Sequence, residues 1–263
     1  MYFGIMQGRL SKTKKNVLQY LPKNWTREFQ ILKGLDLDFI ELFTSRLNDQ
    51  SPIWRSDKSI LKKKIYETKF KKIILCDNFA LKKNPLTENY RIYFNKIINH
   101  LSKFKNPMLI VPLNNYLFKA NNYEKLLLKV NHFIKISKVN NVALSFEVQV
   151  PLLKILKFKK DLNNKFFKIT FDTGNIYQIE KSTESLIKYL ERTKNFINHF
   201  HIKDRDIYGN NVVLGTGKID FRIFFKSLKK INYKKALTFE TNRGKNCVLT
   251  AKENLKFTKN NLN

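Results

Sequence analysis

The chain predicts an α/β fold of one particular kind, a single (β/α)8 TIM barrel domain occupying residues 1–263. Three observations carry that expectation. Eight short, largely apolar runs recur along the sequence, and a stretch with helical spacing follows each. Strands that are apolar on both faces suit a parallel sheet, whose two sides are both covered. The third observation is where the polar residues fall: Glu147, Asp172, His201 and Glu240 stand at or just past the ends of the last four runs. In such a barrel the carboxyl ends of the strands converge on one face, where chemistry is assembled.

The runs, in order, are YFGIMQ (2–7), DFIELF (38–43), KIILCD (72–77), MLIVPL (108–113), VALSFE (142–147), FKITFD (167–172), HFHIKD (199–204) and ALTFE (236–240). Between them lie amphipathic stretches. Trp25, Phe29 and Leu32 recur at four and then three residues, and Leu126, Val130, Phe133 and Ile134 do the same. Later helices are expected over Glu184–Thr193, Phe221–Lys230 and Val248–Phe257, with Asn24, Thr183 and Asp220 as N-caps. Eight strands alternating with eight helices, joined by right-handed crossovers, close into a barrel. An open doubly wound sheet is the alternative. It is weakened because no G-x-G-x-x-G fingerprint follows the first strand.

Composition bounds the rest. At 43% hydrophobic, with 22 Phe and 11 Tyr, the chain can bury a large core. No apolar run approaches the roughly 18 residues that a membrane span needs. Strand-like sequence begins at Tyr2, and the two cysteines, Cys76 and Cys247, suggest no disulfide framework. A cytoplasmic protein without a secretory leader is the expectation. The formal charge of +30 invites a nucleic-acid reading, but the lysines are spread over every region, as at Lys62–Lys64, Lys159–Lys160 and Lys229–Lys230. They form no single arm or stripe, so nucleic acid is not the expected partner. A small anionic substrate gains from such a field in any case.

Any one of the four strand-end residues reads most simply as an N-cap or a satisfied polar group. Together they read as a cage for one divalent metal ion, because several buried carboxylates need a cation or shared protons to compensate them. Three carboxylates and one imidazole suit Mn²⁺, Mg²⁺ or Co²⁺. His199 and His201 alternate onto one face of their strand, with Phe200 on the other. His201 is nearer the carboxyl end and is the ligand candidate; His199 belongs to the layer below. Lys203 is next on that face, where its ammonium can meet a phosphate, carboxylate or oxyanion, and Asp204 can fix the loop or the histidine tautomer. His100 and His132 sit on predicted helices and are read as surface residues.

Further substrate-binding candidates come from the other strand ends. Gln7 and Arg9 flank Gly8 past the first strand, and a guanidinium there can grip phosphate or carboxylate bidentately. Arg243 is a similar candidate, and Glu41 and Asp77 are expected to line the pocket. Gly215 and Gly217 read as a tight turn leading into Asp220.

The motifs GIMQGRL (4–10), FIEL (39–42), FDTGN (171–175), HIKD (201–204), LGTGKIDF (214–221) and FETNRG (239–244) resemble, in order and over nearly the whole chain, the sugar phosphate isomerase/epimerase group of the xylose-isomerase-like TIM barrel superfamily. The resemblance implies one divalent ion held by a Glu, Asp, His, Glu set, here Glu147, Asp172, His201 and Glu240. It also implies that Glu147 and Glu240 exchange the substrate proton in turn. Several epimerases of the superfamily carry a His three residues after the strand-six Asp. Here Asn175 stands instead, which can bind a hydroxyl but cannot shuttle protons, so their substrates do not transfer directly. Barrels of this superfamily often pair, which leaves a homo-oligomer compatible with the chain.

The chemistry has its own argument. Removing a proton beside a carbonyl leaves an enediolate, and a divalent cation stabilises its charge. Two carboxylates on opposite sides of a bound sugar can then serve as base and acid, for about 10²–10⁴-fold of rate. Sugar or sugar phosphate isomerisation or epimerisation is the leading expectation. Dehydration of an inosose-like ketone on the same metal site and a non-catalytic barrel that binds a ligand or partner are the alternatives. A three-zinc DNA-repair endonuclease would need many more than the four histidines present.

Overall fold

All eight apolar runs become strands in the computed structural model, which describes residues 1–13, 17–55 and 58–262. They are β1 (Tyr2–Met6), β2 (Phe39–Thr44), β3 (Ile74–Asp77), β4 (Met108–Leu113), β5 (Ala143–Val148), β6 (Ile169–Asp172), β7 (Ile197–Ile202) and β8 (Ala236–Phe239). The strands hydrogen-bond in parallel in the closed order β1-β8-β7-β6-β5-β4-β3-β2, the expected (β/α)8 barrel. Positions along β2, β3, β6 and β8 are buried without alternation, because both faces of each strand are covered.

Nine helices are present among the described residues: α1 (Thr26–Lys33), α2 (Lys58–Tyr66), α3 (Glu88–Leu101), α4 (Ala120–Val139), α5 (Leu152–Leu162), α6 (Thr173–Glu180), α7 (Thr183–Thr193), α8 (Phe221–Lys230) and α9 (Cys247–Leu262). The ninth arises because the β6–β7 crossover carries two. Lys181 ends α6 in a left-handed conformation (φ 66°), and Ser182 starts α7 by accepting from the Ser185 N–H. The cap of α7 is therefore Ser182 and not Thr183. Asn24 is not a cap either: α1 starts beyond Trp25, and the Asn24 side chain accepts from the Thr26 hydroxyl at 2.9 Å. Asp220 caps α8 as expected, accepting from the N–H groups of Arg222 and Ile223.

Contacts gather the chain into two compact units, one of Met1–Glu41, Thr68–Phe70 and Phe171–Asn263, the other of Leu42–Glu67 and Lys71–Thr170. The first unit packs Phe171, Phe200, Phe224 and Tyr233 behind β6 and β7, with Phe171 and Phe200 rings 5.2 Å apart. The second packs Phe94 on Phe133 at 4.2 Å and Phe146 on Phe167 at 5.5 Å. Each such fully buried side chain contributes roughly 1.5–3 kcal/mol. Both cysteines are free and buried. No helix among the described residues is long and apolar enough to cross a membrane.

Candidate functional site

Alternation along β7 sets the site. Phe200 points outward into the aromatic layer, which turns His199 and His201 inward; Lys203 follows on the same face, beyond the strand end. Asp172 is the last residue of β6, and Glu240 lies one residue past β8. These three strand ends belong to the first unit, together with Glu41 of β2.

Glu41 is fully buried and ties this face together. Its Oε1 meets His201 Nε2 at 2.8 Å, and its Oε2 meets His199 Nε2 at 2.9 Å and the Thr238 hydroxyl at 2.5 Å. Burial alone raises the Glu41 pKa, but the two imidazoles outweigh it, so the carboxyl is held below the usual range. An ionised carboxylate only accepts hydrogen bonds, so each imidazole offers it an Nε2–H. His201 is thereby oriented with Nδ1 toward the other carboxylates, 3.4 Å from Glu240 Oε2 and 3.9 Å from Asp172 Oδ2.

A cation already stands among them. Lys203 Nζ lies 2.8 Å from Asp172 Oδ2 and 3.1 Å from Glu240 Oε2, with all three side chains buried. Asp172 reconciles its two readings, since Oδ1 caps α6 by accepting from the Asn175 N–H at 2.8 Å while Oδ2 faces Lys203. This donor set fits a divalent ion: two carboxylate oxygens and an imidazole converge, and a carboxylate behind the imidazole fixes its tautomer. Glu41, His199 and His201 also cluster closely enough to hold a metal. There, however, the facing atoms already bond one another, which makes Glu41 and His199 a support for His201.

The loop after β1 completes this side. Glu28 of α1 is buried and accepts from the Gly8 N–H at 2.8 Å, the Leu10 N–H at 3.1 Å and the Ser11 hydroxyl at 2.8 Å. Gly8 has φ +83°, and a Cβ there would lie 2.0 Å from the Tyr20 carbonyl oxygen, so only glycine fits. Arg9 is buried, with Nη2 3.7 Å from Glu240 Oε1; that oxygen accepts from Gln19 Nε2 at 2.8 Å. Gln7 is buried beside it, and its N–H bonds the Glu41 carbonyl at 2.8 Å.

Several expected contacts are turned elsewhere. Arg243, expected to grip substrate, donates to the carbonyls of Gly8, Val17 and Leu18 and braces the β1 loop. Glu41, expected to line the pocket, is fully buried behind His201 and bonded to it. Asn175 accepts from Arg205 Nη2 at 2.8 Å. Asp204 accepts from the N–H groups of Arg205, Gly215 and Gly217 and fixes the loop rather than the histidine. In the second unit, Asp77, expected to line the pocket, accepts from Tyr90 Oη at 2.5 Å and Tyr93 Oη at 2.8 Å and anchors α3 to β3. Burial lifts its pKa to about 6 despite the two hydroxyls. Glu147, half-buried, is the penultimate residue of β5 and pairs in register with Thr170 of β6. Glu28 and Gln19 were not expected. Glu28 leaves a trace in the sequence, a charge four residues before Leu32 on the apolar stripe of α1; Gln19 leaves none.

Residues 29–261 match the model of the xylose isomerase-like TIM barrel family. An uncharacterized protein of Methanocaldococcus jannaschii is 33% identical over 136 residues, 47% of this chain and 51% of that protein, so the chain spans about half the length of the curated relative it matches. The solved L-ribulose 3-epimerase superposes with a TM-score of 0.78 at 16% identity, covering 100% of this chain and 95% of that one. A probable 3-DHS dehydratase from Bacillus anthracis superposes with a TM-score of 0.75 at 13% identity, over 98% and 99% of the two chains.

Proposed function

The chain belongs to the xylose isomerase-like TIM barrel family, and from that premise we propose that it is a divalent-metal-dependent isomerase or epimerase acting on a sugar or sugar phosphate. The observation that carries the proposal is the convergence of Asp172, His201 and Glu240 on one buried cation position, with Glu41 holding the imidazole from behind. Asp172, His201 and Glu240 would hold the ion, and the family resemblance adds Glu147 as the fourth ligand. When bound, a divalent ion supplies Lewis-acid stabilisation of negative charge developing beside a carbonyl.

The protein's own groups divide the remaining work. Glu240 takes or returns a proton at the substrate carbon on its side, and Glu147 does so on the other. Gln19 at Glu240 Oε1 and Lys203 at Oε2 limit its rotation, so the carboxylate is presented in one direction. The test is solvent exchange: Mn²⁺-loaded protein is incubated in D₂O with a panel of ketoses and their phosphates, followed by NMR. Deuterium entering one carbon with conversion to an isomer supports the proposal. Loss of water would transfer the chain to the dehydratase reading, and no exchange in any compound would refute both.

A further inference from the structure

Arg9 is 2% exposed, yet among the described residues none of its guanidinium nitrogens makes a hydrogen bond. Its ion pair with Glu240 Oε1 is long, at 3.7 Å, beyond hydrogen-bonding distance, and that oxygen already accepts from Gln19. A guanidinium carries five N–H donors, and burying it unsatisfied is costly. Burial, with Arg243 nearby, lowers its pKa to about 10 even though Glu240 opposes the shift, so it stays charged at neutral pH.

The surrounding loop is built to keep it there. Glu28 fixes the N–H of Gly8 on one side of Arg9 and the N–H of Leu10 on the other. Arg243 Nε fixes the Gly8 carbonyl at 2.8 Å, and the Arg9 N–H bonds the Met6 carbonyl at 3.1 Å. A buried carboxylate and a buried guanidinium thus serve the backbone on both sides of a third charged group whose own donors are vacant. Arg243, Lys203 and Arg205 all have partners that engage their cationic heads. Arg9 does not.

We infer that Arg9 is the seat of an oxyanion on the substrate, a phosphate or carboxylate gripped through the fork of the guanidinium. A neutral hydroxyl would satisfy a single donor, whereas an oxyanion meets two donors of the fork at once through charge-assisted bonds. The inference rests on the reading that substrate binds against Glu240, and it narrows the substrate class to anionic sugars, sugar phosphates or sugar acids.

The test is calorimetric titration of sulfate, a phosphate-shaped probe that leaves Mn²⁺ in solution, and of acetate, a carboxylate probe. Each is titrated into the protein with and without Mn²⁺, and Mn²⁺ itself into the same samples. The expected result is one equivalent of probe, weakened about 10- to 100-fold in R9Q and less in R9K. Mn²⁺ affinity should stay within a few-fold in both variants, and K83Q, at an exposed lysine, should leave the anion affinity unchanged. Preference for sulfate or acetate tells phosphate from carboxylate. Loss of one-to-one binding in K83Q, equal binding by R9Q and the wild type, or no stoichiometric binding by the wild type overturns the inference. Because Mn²⁺ is titrated separately, a failure of the metal reading is distinguished from a failure of this one. R9K, which keeps the charge, serves if R9Q does not fold.

Discussion

Replacing Lys203 with Met removes the only cation among the described residues seen between Asp172 and Glu240 while keeping most of the side-chain volume. The three residues are at most 5% exposed, so water cannot take over the lost interaction. Removing one partner of such a buried ion pair costs about 3–5 kcal/mol. For a chain of this size that lowers the melting temperature by about 6–20 °C, at roughly 2–4 °C per kcal/mol. A bound divalent ion should then recover the loss, since an ion at 1,000 times its dissociation constant adds about 4 kcal/mol. In the wild type the ion must first displace the ammonium from Asp172 Oδ2 and Glu240 Oε2; in K203M it need not. Scanning calorimetry of chelator-stripped and Mn²⁺-saturated protein should show a low metal-free midpoint for K203M and a larger Mn²⁺ shift than for the wild type. Equal metal-free midpoints, or a Mn²⁺ shift no larger than that of the wild type, would refute the argument that this ammonium marks the metal position.

Three further outcomes are expected. E41Q removes the charge that orients His201 and should weaken Mn²⁺ binding about 10- to 100-fold with the circular dichroism spectrum retained; unchanged affinity contradicts the supporting role. Asp77, whose pKa rises from 3.8 to about 6 on folding, favours the protonated native state, so its contribution to stability is full below pH 3.8 and is lost as the pH rises through about 6. That decline is worth roughly 3 kcal/mol, and D77N should lack it in urea unfolding measured from pH 4 to 7; parallel pH profiles would be the contrary result. G8A forces a Cβ against the Tyr20 carbonyl at φ +83° and should destabilise by about 1–3 kcal/mol in the same assay, whereas a neutral effect would deny the strain.

The barrel was legible because parallel strands covered on both faces must be apolar throughout, and because the polar residues that break those runs sit at strand ends. Asp172, His201 and Glu240 followed from that spacing, and Lys203 and His199 from the two-residue alternation along β7. What sequence spacing does not encode is which partner a side chain meets across the fold. Glu41 lies mid-strand in β2 but is joined to His201, 160 residues away. Arg243 looked like Arg9, yet one is tied to three carbonyls and the other is left open. Asp77 sits at a strand end like the ligand candidates, but Tyr90 and Tyr93, one and two turns of α3 away, capture it. The cap of α7 was missed by one residue, because Ser182 and Thr183 are both cap formers and only the extended backbone at Ser182 distinguishes them; α1 starts after Trp25 with no side-chain cap.

The proposed chemistry requires Asp172, His201 and Glu240 to bind one divalent ion. Calorimetric titration of Mn²⁺ into chelator-stripped protein, with H201A alongside, measures that directly. A single tight site is expected in the wild type and should disappear in H201A. No binding to the wild type, or equal binding by the variant, would contradict it.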